Sequence, residues 1–155
     1  MRRAFQSAAL CLVFLLLTAC GGTDQAESVA APGNDPSGVA SQFYEWYLAT
    51  VGSGENPLVS RAYRNRTELH PSLIAHVDDM LSASQGPGFD PFLCAQDIPG
   101  GLEVGQPEVT GEAANVPVTM VWNPKTEYES RSFVTLDMSA EAGVWIITEI
   151  VCPKP

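Results

Sequence analysis

The chain contains no hydrophobic run long enough to cross a bilayer as a permanent helix. Its most apolar stretch, Ala8 to Leu17, is ten residues, about half of the roughly 20 that a spanning helix needs. Positive charge is also scarce: eight Lys and Arg stand against 18 Asp and Glu, for a formal net charge of −10. That balance argues against nucleic acid, whose phosphates call for Lys and Arg. Histidine is reduced to His70 and His76. Neither belongs to an H-E-x-x-H pair, and the sequence has no EF-hand loop and no G-x-S-x-G elbow. No metal and no cofactor are therefore expected, and nucleophilic catalysis has no motif to rest on.

The first residues are what the sequence does have. Arg2 and Arg3 form a positive start, the apolar run follows, and Leu17-Thr18-Ala19-Cys20 looks like a bacterial lipobox. The segment reads as a cleaved signal, residues 1–19, with a lipid thioether on Cys20. Cleavage leaves 136 residues, enough for one domain with a core, and removing Arg2 and Arg3 moves the formal charge to −12. With no polybasic patch, the acyl chains alone must anchor the protein, each buried methylene contributing about 0.8 kcal/mol. Gly21, rather than Asp, follows Cys20; under the enteric sorting rule this points to the periplasmic face of the outer membrane.

Cysteine sorts by compartment. Cys11 leaves with the signal and Cys20 carries lipid, so Cys94 and Cys152 remain. Export into an oxidising space makes a disulfide between them the default.

Residues 20–36 are rich in Gly, Ala and Pro without a hydrophobic period and read as a flexible tether. A single domain, 37–155, follows. Ser37 is the expected cap of a first helix carrying Val39, Phe43, Trp46, Tyr47 and Thr50 on one face. Asn56-Pro57 opens a second helix expected to reach about Asn65. Pro71 opens a third, lined by Leu73, Ile74, Val77, Met80 and Leu81 and ended at Gln85-Gly-Pro-Gly.

From about Leu102 the period changes to two. Val116, Val118, Met120 and Trp122 alternate along one strand, Ser132 to Met138 form the next, and Val144 to Cys152 the last. Pro117 marks its strand as an edge or a bulge. The last strand is apolar on both faces apart from Thr148 and Glu149, so it is expected at the centre of the sheet, with Val144, Ile146, Ile150 and Cys152 on one side. Helices first and an antiparallel meander afterwards give an α+β fold: three N-terminal helices on a curved antiparallel sheet of about four strands. The sheet is expected to curl around the first helix and bury Phe43, Trp46 and Tyr47.

The segments FYEWYL (43–48), NPLVSRAYR (56–64), LIAHVDDML (73–81), GPGFDPFLCAQD (86–97) and GVWIITEIVC (143–152) together resemble the bacterial lipoproteins carrying the domain of unknown function numbered 3828. The resemblance implies a cystatin-like or nuclear-transport-factor-2-like roll in the cell envelope, and it carries over no catalytic residues.

The candidate ligand cluster is His76, Asp79, Asp90 and Asp97, with Asp78, Gln96 and His70 nearby. Oxygen ligands of this kind suit a hard cation. The bland reading makes Asp78 and Asp79 solvated helix charges, and Asp90 and Asp97 turn caps. Arg61, Arg64 and Arg66 are expected to pair with Glu55 and Glu68. Phe89 and Phe92 either form an interface or fill the core. Two functions stand open. The favoured one is a non-enzymatic envelope module, anchored to the membrane by its lipid and binding a partner protein or a small ligand. The other is a small enzyme, or a ligand- or metal-binding protein, using the roll cavity with His76 and Asp79, in the enzyme as base and orienter.

Overall fold

The computed structural model describes residues 35–83 and 88–154. The signal segment, Cys20, most of the tether and the Gln85-Gly86-Pro87 helix stop lie outside these residues.

Helix α1 spans Pro36–Gly52. Its cap is Asp35, whose carboxylate accepts from the Gly38 N–H at 3.0 Å, and Pro36 fills the first turn, where no amide is needed. Ser37 is thus not the cap. It lies one residue inside the helix, and its hydroxyl donates to the Gly105 carbonyl at 3.0 Å, tying α1 to the sheet. The buried face is Val39, Ala40, Phe43, Tyr44 and Tyr47. Compared with the expected stripe it is rotated, with Tyr44 taken in. Trp46 is only half-buried, and the Arg66 guanidinium lies 4.5 Å from its ring centre.

Asn56 caps α2 as expected, accepting from the Leu58 and Val59 amides. The helix covers only Pro57–Ser60, because Arg61 turns left-handed at φ 59° and a 3₁₀ turn, Ala62–Asn65, follows. Helix α3 spans Pro71–Ala83, with the His70 ring accepting from the Ser72 N–H at 3.1 Å at its start.

The sheet has five antiparallel strands: β1 Gly101–Val104, β2 Glu108–Thr110, β3 Ala113–Trp122, β4 Ser130–Glu141 and β5 Val144–Val151. The order is β1-β3-β4-β5, with β2 continuing beside β3 where β1 stops. Ala114, Val116, Val118 and Met120 of β3 and Val134, Leu136 and Met138 of β4 are buried on one face, the period-two pattern of a half-covered sheet. They pack with the aromatic face of α1 in one core.

Pro117 lies in the interior strand β3 rather than at an edge. Its carbonyl accepts from the Gly105 N–H at 2.8 Å. A strand residue turns its N and O to the same side, so the missing donor falls in the gap between β1 and β2, where no ladder needs it.

The last strand is an edge, not the centre: β5 pairs in the sheet with β4 alone. One face packs on the core, and the strand's outer edge is partly covered by chain preceding α3, where Leu69 bridges Ile147 in parallel. A register shift between Asp137 and Met138 leaves Thr148 without a partner across the ladder. This bulge moves the inward set from odd to even numbers. Trp145 and Ile147 pack on the core before it and Ile150 after it, while Val144 is exposed. The even positions therefore do not share one face.

Candidate functional site

Phe92 is the hub of the domain, wholly buried with ring centres of Phe43, Tyr47 and Tyr63 at 5.3, 5.4 and 5.4 Å. Asp90 places it there. Its Oδ1 accepts from the Phe92 and Leu93 amides at 2.9 and 3.2 Å, and its backbone N–H donates to the Ala95 carbonyl at 2.7 Å. Its Oδ2 accepts from the Tyr47 hydroxyl at 2.6 Å, while the Tyr44 hydroxyl donates to the Phe92 carbonyl at 2.8 Å. Burial pushes the Asp90 carboxyl up, against the lowering effect of the three hydrogen bonds it accepts. Burial, together with the Asp90 charge, holds both phenols far above the ordinary tyrosine range. Asp90 is thus a turn cap beneath the loop. Cys94 and Cys152 form the expected disulfide, Cα atoms 5.5 Å apart, which ties the same loop to the residue after β5.

Asp78 is no solvated helix charge. Arg61 Nη1 and the Tyr63 hydroxyl reach its Oδ1 at 2.8 and 2.5 Å, and Arg64 Nη2 reaches Oδ2 at 2.9 Å. The Tyr63 hydrogen bond, aided by both guanidiniums, holds this carboxyl below its usual range. Arg61 and Arg64 therefore pair with Asp78 rather than with Glu55 or Glu68. The left-handed turn at Arg61 brings the chain back over α3, a contact no local spacing foretells. Arg66 does pair with Glu68, which is buried.

The candidate cluster does not assemble. Asp90 is engaged under the loop, and Asp79 and Asp97 are exposed, away from the groove that holds His76. Among the described residues, no group of three His, Cys, Asp or Glu is placed to hold a metal ion, and no helix is long and apolar enough to cross a membrane. His70 pairs with Ser72 and Glu141 at the start of α3.

His76 lines an open groove of about 480 Å³ between α3 and the outer edge of β5. Leu73, Val77 and Met80 of α3 and Ile150 and Val151 of β5 line it, together with Phe89. Met80, Phe89 and Val151 are 37%, 44% and 42% exposed, which is unusual for side chains this apolar gathered in one place. The two loop phenylalanines are thus divided, Phe92 in the core and Phe89 at the groove. Two titratable groups line the walls, His76 and Glu149. Neither is hydrogen-bonded or ion-paired among the described residues, and His76 shares no hydrogen bond with Asp79. The sequence offered one sign of the groove, the apolar GPGFDPF loop. The opposite wall was hidden by the expectation that β5 is central.

No protein-family model and no curated protein matches the chain. Two solved structures share its fold. One is a chain in the crystal structure of the type VI native effector–immunity complex Tae3–Tai3 from Ralstonia pickettii. It is 19% identical, with 78% of this chain and 97% of that one covered at a TM-score of 0.58. The other is a protein of unknown function from Bacteroides thetaiotaomicron, 23% identical, with 74% and 86% covered at a TM-score of 0.53. At these identities the likeness is one of fold.

Proposed function

We propose that the protein is a non-catalytic binding module of a bacterial cell envelope, held to the outer membrane by lipid on Cys20 and taking a partner protein into the groove between α3 and β5. The observation that carries this reading is the exposure of Met80, Phe89 and Val151 around one concavity. Covering them removes apolar surface from water at about 25 cal/mol per Å². The hollow between α1 and β1, about 390 Å³, has none of the exposed large apolar side chains on its walls. The occurrence of the same fold in an effector–immunity complex is in keeping with protein partnering. The helices and the single antiparallel sheet sharing one core with α1 fit the cystatin-like or nuclear-transport-factor-2-like roll, and with the lipobox they fit the resemblance to the lipoproteins of domain of unknown function 3828. An enzyme built on His76 and Asp79 is not favoured, because His76 lines the groove and Asp79 does not.

The test is site-specific photo-crosslinking in the producing cell, with the probe at Met80 or Phe89 and, as controls, at Thr126 or Tyr128 on the exposed β3–β4 turn. A discrete adduct from the groove positions alone supports the reading. Equal crosslinking from both sets, or none from the groove, overturns it. In parallel, Cys20→Ser is expected to abolish fatty-acid labelling and release the protein from the membrane; retention would remove the anchor from the proposal.

A further inference from the structure

The groove has a backbone wall as well as a side-chain wall. At Ile147 the outer edge of β5 is already taken by an extended segment: the Ile147 N–H donates to the Glu68 carbonyl at 2.8 Å, and the His70 N–H donates to the Ile147 carbonyl at 2.9 Å. This segment runs parallel to β5, then turns away into α3 at Pro71. Beyond Ile147 no described residue pairs with that edge, and Thr148 to Cys152 all line the groove. The four strand residues among them, Thr148 to Val151, offer an edge of roughly 14 Å. An unpaired edge of this kind accepts another strand through main-chain hydrogen bonds.

Charge selects among occupants. Asp137 and Glu149 stand directly opposite one another in the β4–β5 ladder. Like charges in this position repel. Asp137 is satisfied by the Asn115 side-chain amide at 2.6 Å, whereas Glu149, at the groove, has no cation. The whole chain carries −10, so a second copy docking edge to edge would bring two such acidic rims together. A basic segment relieves the repulsion.

We infer that the occupant of this groove is an extended, basic segment of a partner protein that adds as a strand to the free edge of β5, lays alternate apolar side chains against Leu73, Val77 and Met80, and places a Lys or Arg at Glu149. The inference rests on the groove reading above and names its partner chemistry.

The experiment uses the full-length protein in detergent micelles and a set of fluorescent six-residue peptides alternating Lys or Arg with Val, Leu or Phe. At least one is expected to bind and to slow amide hydrogen exchange in 148–152. N-methylation of alternate peptide amides is expected to weaken it roughly tenfold or more, because two or more main-chain hydrogen bonds are lost. Glu149→Gln is expected to weaken it about threefold, as fits an exposed ion pair, and Glu149→Lys to shift preference to Glu-bearing peptides. Binding indifferent to N-methylation overturns strand addition while leaving the groove reading intact. Absence of any peptide that protects 148–152, or self-association through that edge, also overturns the inference. The groove reading falls separately, if crosslinking from Met80 and Phe89 fails.

Discussion

The Tyr47 hydroxyl donates to Asp90 Oδ2 at 2.6 Å across 43 residues of sequence. The bond joins α1 to the loop that carries Phe92 inward and leaves Phe89 at the groove. Both partners are buried, so the bond holds one end of the loop while the disulfide holds the other.

Tyr47→Phe keeps the ring and removes the donor, leaving Oδ2 buried without a partner. The expected loss is about 1–3 kcal/mol in urea unfolding. A loss below a few tenths of a kcal/mol would mean that the bond is not what holds the loop.

Two carboxylates give opposite pH signatures. Burial raises Asp90 in the folded state, so its contribution is fullest below the ordinary value near 3.8 and is lost as pH rises through the raised value. The stability of the native protein relative to Asp90→Asn should therefore fall with rising pH across that window. Asp78 is lowered, chiefly by the Tyr63 hydroxyl. Its contribution is present above the ordinary value and lost as pH falls through the lowered one, so the advantage over Asp78→Asn should shrink on acidification. Unfolding curves measured from about pH 3 to 7 read both signs, and parallel curves for either pair would refute its assignment.

The Cys94–Cys152 bridge closes 58 residues. Replacing both cysteines by Ala should cost about 4 kcal/mol by loop entropy, read as a lower denaturation midpoint. An unchanged midpoint would show that Tyr44, Tyr47 and Asp90 alone hold the loop in place.

At Gly105 an added Cβ would sit 2.9 Å from Pro117 Cγ and 3.2 Å from the Pro117 carbonyl. Gly105→Ala should therefore destabilise by about 1–3 kcal/mol. Gly52, at the end of α1, has open space around its Cβ position, and Gly52→Ala should be neutral or stabilising by up to about 1 kcal/mol. Thermal melts of the two variants decide it, and equal effects would contradict the close approach of Gly105 to Pro117.

Local patterns were readable because local chemistry causes them. Asn56-Pro57 opens a helix since one side chain can meet two amides and proline needs none; Val116, Val118 and Met120 share a face because strand side chains alternate. Most of the readings that failed depended on a partner distant in sequence. Ser37 lost the cap to Asp35, two residues earlier, and its hydroxyl went to Gly105 instead. Arg61 found Asp78, 17 residues on, after a left-handed turn that nothing in the sequence around it announces. The proposed cluster around His76 failed because Asp90 turns inward to Tyr47 while Asp79 and Asp97 stay exposed away from the groove.

By itself the sequence determined the α+β order, the three helix starts to within a residue or two, the alternation of the sheet and the pairing of Cys94 with Cys152. Each follows from periodicity, capping or the count of available thiols. Only the tertiary structure decided that β5 is an edge. A strand covered by a neighbouring strand and one covered by a helix and a loop can present the same apolar sequence. The bulge at Thr148, which sets which of its side chains face the core, depends on register with β4. The groove exists because α3 stands beside that edge without pairing with it, a relation between two surfaces that no single stretch of residues encodes.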